Sequence, residues 1–181
     1  MKIKHLYLIG PGGVGKTTVG TIAARRLNLP LIDLDTEFCE GINNIGQYIR
    51  NNGYEKYVIE NSRLFTKQLS IQTRPSLFVL SSGFLATDTS PETLARNQKH
   101  IRQSGTSILL LPSLVPAEAA EIVSTRQMQR GLGLTPATET AKYLSRISTY
   151  QNFADHQIVS NKKPEEIAQE VCELIRSLKL G

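Results

Sequence analysis

Short apolar runs alternating with segments of helical period dominate this chain. His5–Ile9 is an apolar run that stops at a Gly/Pro cluster, which predicts a buried strand. From Lys16 to Leu27, Val19, Ile22, Ala23 and Leu27 recur on one helix face, and Pro30 ends that helix. Leu31–Asp33 predicts a second strand, and Ile45–Gln72 one or two helices punctuated at Asn52-Gly53. Leu77–Leu80 reads as a third strand. Ser90-Pro91 pairs an N-cap with a first-turn proline, opening a helix to about Gln103. Ser107–Leu111 is a fourth strand, Pro116–Gln129 a helix, Gly131–Pro136 a break and Ala137–Ala154 a further helix. His156–Ser160 is a fifth strand, and Pro164–Leu178 an amphipathic helix with Ile167, Val171, Leu174, Ile175 and Leu178 facing inward.

Strands of about five residues joined through helices need crossover connections, so the sheet is parallel and covered on both faces. This predicts a three-layer α/β/α architecture. In such sheets ligands bind beyond the carboxyl ends of the strands, so candidate chemistry is sought there.

The length, 181 residues, predicts one domain over residues 1–181. Apolar residues make up 40% and charged residues 20%, an ordinary globular composition. The net charge of +5 suits an anionic ligand but equally serves solubility. Cys39 and Cys172 lie far apart without C-x-x-C spacing, which speaks against a disulfide framework or a zinc site. His5, His100 and His156 are scattered and expected at the surface or sheet edge. No apolar run approaches ~18 residues, and Leu6–Ile9 is too short for a signal-peptide core. A cytoplasmic monomer without membrane contact is expected. Nucleic acid is not an expected partner, because positive charge is dispersed and no aromatic-basic patch is visible.

The strongest chemical signal is Gly10-Pro11-Gly12-Gly13-Val14-Gly15-Lys16-Thr17, a G-x-x-x-x-G-K-S/T phosphate loop between a predicted strand and a predicted helix. Its glycines let successive backbone N–H groups converge on phosphate oxygens, and the helix N-terminus adds partial positive charge. Lys16 is expected to reach the β- and γ-phosphates and the Thr17 hydroxyl to bind Mg²⁺. The absence of an N-K-x-D string weighs against a GTPase. Asp33 and Asp35 follow at the end of the second strand, where i, i+2 spacing would project both carboxylates to one side. One could hold Mg²⁺ through water while the other orients an acceptor hydroxyl or takes its proton; a solvated acidic turn or an N-cap is the competing reading.

With these residues in view, the chain resembles the shikimate kinases over nearly its whole length. Gly10-Pro11-Gly12-Gly13-Val14-Gly15-Lys16-Thr17-Thr18-Val19-Gly20 is similar to that family's phosphate loop, and Leu31-Ile32-Asp33-Leu34-Asp35 to its D-x-D stretch. Ile45-Gly46, Gly53 and Tyr57 fall where the family has I-G-W and G-E-x-x-F-R. Val79-Leu80-Ser81-Ser82-Gly83 resembles V-L-A-T-G, Arg130-Gly131-Leu132 the lid's R-P-L, and Arg146, Tyr150 and Ala154-Asp155 the R-x-P-x-Y and A-D pattern. The resemblance implies a five-stranded parallel sheet of order 2-3-1-4-5 and transfer of the ATP γ-phosphate to the 3-hydroxyl of shikimate.

Carried over, it implies that Gly12, Gly13, Val14, Gly15, Lys16, Thr17 and Thr18 bind ATP, with Thr17 and Asp33 serving Mg²⁺. Asp35 would contact the acceptor hydroxyls and act as base, with Gly83 beside the acceptor. Lys16 and Arg130 would stabilise the transferring phosphoryl group, Arg130 from a lid at about residues 128–138. Arg146 would hold the acceptor carboxylate, and Arg126 is a candidate for stacking on adenine.

The departures concentrate in the acceptor half. Val58 stands where the family has the second arginine of its carboxylate clamp, Phe84 and Leu85 replace two glycines, and Gly131 replaces a lid proline. About five extra residues follow, around Ala86–Ser90. Val58, Phe84 and Leu85 are expected to make the acceptor wall more apolar, with Lys56 or Arg63 as candidates to restore the lost charge. Besides shikimate phosphorylation, two other readings stay open: a kinase for another small hydroxylated acceptor, and a nucleotide-binding protein without transferase activity.

Overall fold

The computed structural model describes residues 4–129 and 134–178. In chain order the elements are β1 (His5–Ile9), α1 (Lys16–Leu27), β2 (Leu31–Asp33), α2 (Leu34–Gly41), α3 (Ile45–Asn52), α4 (Tyr54–Ile71) and β3 (Leu77–Val79). There follow α5 (Pro91–Ser104), β4 (Gly105–Leu111), α6 (Pro116–Met128), α7 (Pro136–Phe153), β5 (His156–Val159) and α8 (Pro164–Ser177). The sheet has five strands in the order β2-β3-β1-β4-β5, and every neighbouring pair is parallel. The sheet order implied by the resemblance is the one found.

β1 is central, flanked by β3 and β4, and all of its side chains are buried. That is the signature of a parallel strand covered on both faces. It also corrects the expectation for His5, which lies inside the molecule with its ring edge-on to Phe78 at 5.4 Å. His100 and His156 are partly exposed, as expected. α1 packs on α8, and α6 packs on α7. The rest of the core comes from strand residues such as Leu77, Phe78, Ile108 and Leu109 with helix residues such as Val19, Ala23, Phe65 and Val171.

Three local differences from the sequence reading matter for the site. First, the chain turns from β2 straight into α2, so Asp33 ends a strand and caps a helix at once. Its carboxylate accepts from Asp35 N at 3.0 Å and Thr36 N at 3.3 Å. Second, the segment after α2 is two helices, α3 and α4, separated at Gly53, whose φ of 86° favours glycine. Third, Ser90 precedes α5 at a φ of 52°, and its hydroxyl donates to Thr93 Oγ1 instead of capping a backbone N–H. The remaining boundaries agree with the sequence reading to within two residues.

Asp155 lies just before β5, at the N-terminal edge of the sheet. It accepts from Ser107 N at 2.8 Å and Ser107 Oγ at 2.7 Å, and pairs with Arg102 at 3.0 Å. The A-D pattern therefore ties α5, β4 and the start of β5 together, away from the strand ends that build the site.

Candidate functional site

The C-terminal ends of β1, β2 and β3 open on one side, and the chemistry gathers there. After β1 the chain wraps through Gly13 and Gly15, with φ of 80° and 92°, before α1 begins. A Cβ on Gly12 would come within 2.7 Å of Gln127 Nε2, and one on Gly13 within 2.9 Å of Val123 O. Backbone packed this close, at a positive φ, demands glycine at Gly13, whereas at Gly12 the mobile end of the Gln127 side chain could shift aside. No side chain caps α1, so its first N–H groups face the cradle the loop makes. Lys16 is buried with Nζ donating to Gly10 O at 2.7 Å and Pro11 O at 3.0 Å, which arches it back over the loop. Val14 is buried as a packing residue, while Thr17 and Thr18 are exposed at the helix start.

The Thr17 hydroxyl donates to Asp33 Oδ2 at 2.7 Å. An alcohol oxygen and a carboxylate oxygen side by side at a phosphate loop are the hard donor set that Mg²⁺ takes. The residues present thus fit a Mg²⁺–nucleotide. Among the described residues there is no larger cluster of acidic, cysteine or histidine groups that could hold a metal.

Asp33 and Asp35 do not share one strand face, as their spacing suggested. Asp35 sits in the first turn of α2, and its Oδ1 accepts from the Ser81 hydroxyl at 2.6 Å across the cleft. Ser81 is held in turn by Asn61 Nδ2 at 2.9 Å. Burial pushes the Tyr57 phenol well above its ordinary range, and the Asp35 charge pushes the same way against a hydrogen bond with Ser81. Tyr57 is therefore a neutral phenol at working pH, beside an exposed carboxylate.

Opposite Asp35, Arg146 projects from α7. Its Nη1 lies 3.4 Å from Ser82 O and from Ser82 Oγ, and its Nη2 donates to the Tyr54 hydroxyl at 3.2 Å. The Tyr150 hydroxyl, one turn further on, donates to Ser82 O at 2.9 Å and pins the β3 loop to α7. Among the described residues no carboxylate pairs with Arg146 and no cation pairs with Asp35. Asp35, Gly83 and Arg146, singled out from the sequence, line one cleft of about 540 Å³ that also reaches Pro11 and Gly12.

Several lining residues were not foreseen. Ile45, Ile49, Tyr54 and Tyr57 supply an apolar wall from α3 and α4, and Gln127, Glu139, Lys142 and Tyr143 a polar one from α6 and α7. Glu139 is buried, accepting from Lys142 Nζ at 2.8 Å and Gln127 Nε2 at 3.3 Å. The Tyr143 hydroxyl and Gln127 Oε1 are buried without a partner among the described residues. Burial raises the Tyr143 phenol to about 12.

The apolar wall is thus not made by the residues expected to make it. Phe84 and Leu85 are core residues, with the Phe84 ring against Phe65 at 4.9 Å. Val58 is buried in a small cluster with Phe38, Tyr57 and Leu64. None of the three lines the cleft. Nor do Lys56 or Arg63 restore charge there: both are exposed, and Arg63 pairs with Glu60 at 3.1 Å. Arg126 lies at the end of α6, donating to Asn161 Oδ1 at 2.7 Å, so it adjoins the turn after β5. Arg130 and the lid glycines Gly131 and Gly133 lie outside the described residues.

Residues 12–176 match the family model described as shikimate kinase. A protein named shikimate kinase 2 from Photorhabdus laumondii is 26% identical over 182 residues, with 95% of each chain covered. A shikimate kinase from Enterococcus faecalis is 28% identical, covering 96% of this chain and 99% of its own. Among solved structures, shikimate kinase from Acinetobacter baumannii in complex with shikimate superposes with a TM-score of 0.76 at 24% identity, covering 99% of this chain and 96% of that one. At that identity the superposition speaks for the fold.

Proposed function

This chain belongs to the shikimate kinase family, a family of phosphotransferases acting on an alcohol group, and from that premise we propose that it transfers the γ-phosphate of ATP to the 3-hydroxyl of shikimate. The observation that carries this reading is the placement of Asp35 and Arg146. An exposed carboxylate and a part-buried guanidinium, neither paired with an opposite charge among the described residues, line the same cleft beside a phosphate loop. A small hydroxylated acid satisfies both: its carboxylate meets Arg146 while a hydroxyl meets Asp35.

Catalysis is then mainly positioning plus charge stabilisation. The Gly12–Gly15 backbone and the N-terminus of α1 cradle the phosphates, with Thr18 at the same helix start. Lys16 leaves its carbonyl partners for phosphate oxygens, which attract an ammonium more strongly. Thr17 and Asp33 would hold Mg²⁺, which neutralises phosphate charge when bound. Asp35 orients the acceptor hydroxyl and accepts its proton as the phosphoryl group is transferred; Ser81 fixes the rotamer of that carboxylate. Arg130 is assigned to the transferring phosphoryl group by its place in the family motif, and Arg126 is the candidate for stacking on adenine, although its spacing to Arg130 is shorter than the family's. Residues 128–138 act as a lid excluding water during transfer.

A second reading, phosphorylation of another small hydroxylated acid, draws on one specific feature: a Cβ on Gly83 would overlap the Tyr54 hydroxyl, so Tyr54 covers the glycine expected to face the acceptor. Steady-state ADP release from Mg-ATP separates the readings. Acceptor-dependent turnover with shikimate supports the first. None at millimolar shikimate, with turnover on another polyhydroxylated acid, supports the second.

A further inference from the structure

The neighbourhood of Arg146 carries one step beyond this reading, on which it rests. The Arg146 guanidinium offers Nη2 to the Tyr54 hydroxyl at 3.2 Å, so that oxygen is an acceptor and its own proton is directed elsewhere. Among the described residues nothing accepts that proton. Gly83 makes room for the phenol, since a Cβ there would overlap the Tyr54 oxygen. Both side chains line the cleft. Among the described residues the other cation lining it, Lys142, is held by the buried carboxylate of Glu139 at 2.8 Å.

We propose that the Tyr54 hydroxyl is the second hydrogen-bond donor to the acceptor carboxylate, beside Arg146, and sets the preference of the site for a ring-bearing monocarboxylate. One carboxylate oxygen takes an Arg146 N–H and the other takes the Tyr54 O–H. The apolar wall of Ile45, Ile49 and Tyr57 takes the ring, whose hydroxyl edge then faces Asp35. One full positive charge plus one neutral donor matches a single negative charge. An acceptor with two anionic groups would find its second charge facing, among the described lining residues, a lysine already paired.

The test compares wild type, Tyr54→Phe and Lys142→Met by calorimetric titration with shikimate and with the same ring lacking its carboxyl group, and by steady-state kinetics. Tyr54→Phe keeps the ring over Gly83 and removes only the hydroxyl. The expected result is about tenfold weaker shikimate binding, unchanged binding of the carboxyl-free ring, and a raised KM with kcat nearly unchanged. Equal shikimate affinity in wild type and Tyr54→Phe overturns the proposal. So does a loss seen in Lys142→Met and not in Tyr54→Phe, or a wild type that binds the carboxyl-free ring as well as shikimate. Tyr54-dependent binding of shikimate without transfer leaves this proposal standing and overturns the proposed reaction alone.

Discussion

The Thr17 hydroxyl donates to the Asp33 carboxylate at 2.7 Å and so joins the start of α1 to the end of β2. The other oxygen of the same carboxylate caps α2 through Asp35 N and Thr36 N. One side chain thus ties the nucleotide half of the site to the helix that carries Asp35. Its two duties separate by substitution. Asp33→Asn keeps an oxygen for the cap but loses the charge, so it should retain stability while needing a higher Mg²⁺ concentration for half-maximal rate. Asp33→Ala should also lose about 1 kcal/mol of stability, or roughly 2–4 °C in Tm, read by thermal unfolding.

Asp35 is held by Ser81 at 2.6 Å and has no cation partner among the described residues. Removing its charge while keeping its shape isolates proton acceptance. Asp35→Asn should lower kcat by about 10²–10⁴-fold, the usual contribution of a general base, with nucleotide affinity unchanged. The comparison is kcat against the dissociation constant for ADP.

Gly20 lies on the inner face of α1, where a Cβ would come within 2.6 Å of Val79 Cγ2 and 3.2 Å of Leu8 Cδ1. Alanine gains about 1 kcal/mol over glycine in a helix. Overpacking against a β-branched residue in a central strand costs about 1–3 kcal/mol. The clash wins, so Gly20→Ala should be net destabilising by about 1 kcal/mol, seen as a lower urea midpoint at unchanged slope.

Burial holds the His5 imidazole below its ordinary pKa of 6.5, since desolvation penalises the charged form. The unfolded chain therefore takes up this proton first as pH falls. The contribution of His5 to stability is complete above about pH 6.5 and declines as pH drops below that toward the folded value. His5→Leu should flatten this part of the stability curve, measured by urea unfolding between pH 5 and pH 7.5.

The strands, their parallel direction and the phosphate loop were legible because each rests on local signals: apolar runs, crossover helices, and glycines at fixed offsets; the sheet order followed from the family resemblance alone. The acidic pair was legible as chemistry but not as geometry. The step from β2 into α2 at Leu34 turns Asp35 toward Ser81, and alternation along a strand does not anticipate a helix cap. His5 was misjudged because residue type suggested the surface, whereas a central parallel strand buries every position. Val58, Phe84 and Leu85 were assigned to the cleft by motif position, yet the core absorbs all three. The real walls come from Ile45, Ile49 and Tyr54 on one side and Gln127, Glu139 and Tyr143 on the other. Only the packing of α3, α4, α6 and α7 brings those residues together.

The most direct test of the central claim, phosphoryl transfer to a hydroxylated acid held between Asp35 and Arg146, is the identity of the product. Phosphorus and proton NMR of a reaction containing the wild-type protein, Mg-ATP and shikimate should show one new phosphate ester at the 3-hydroxyl, absent with Asp35→Asn and strongly reduced with Arg146→Gln. ADP and inorganic phosphate accumulating with no phosphorylated acid would contradict the account.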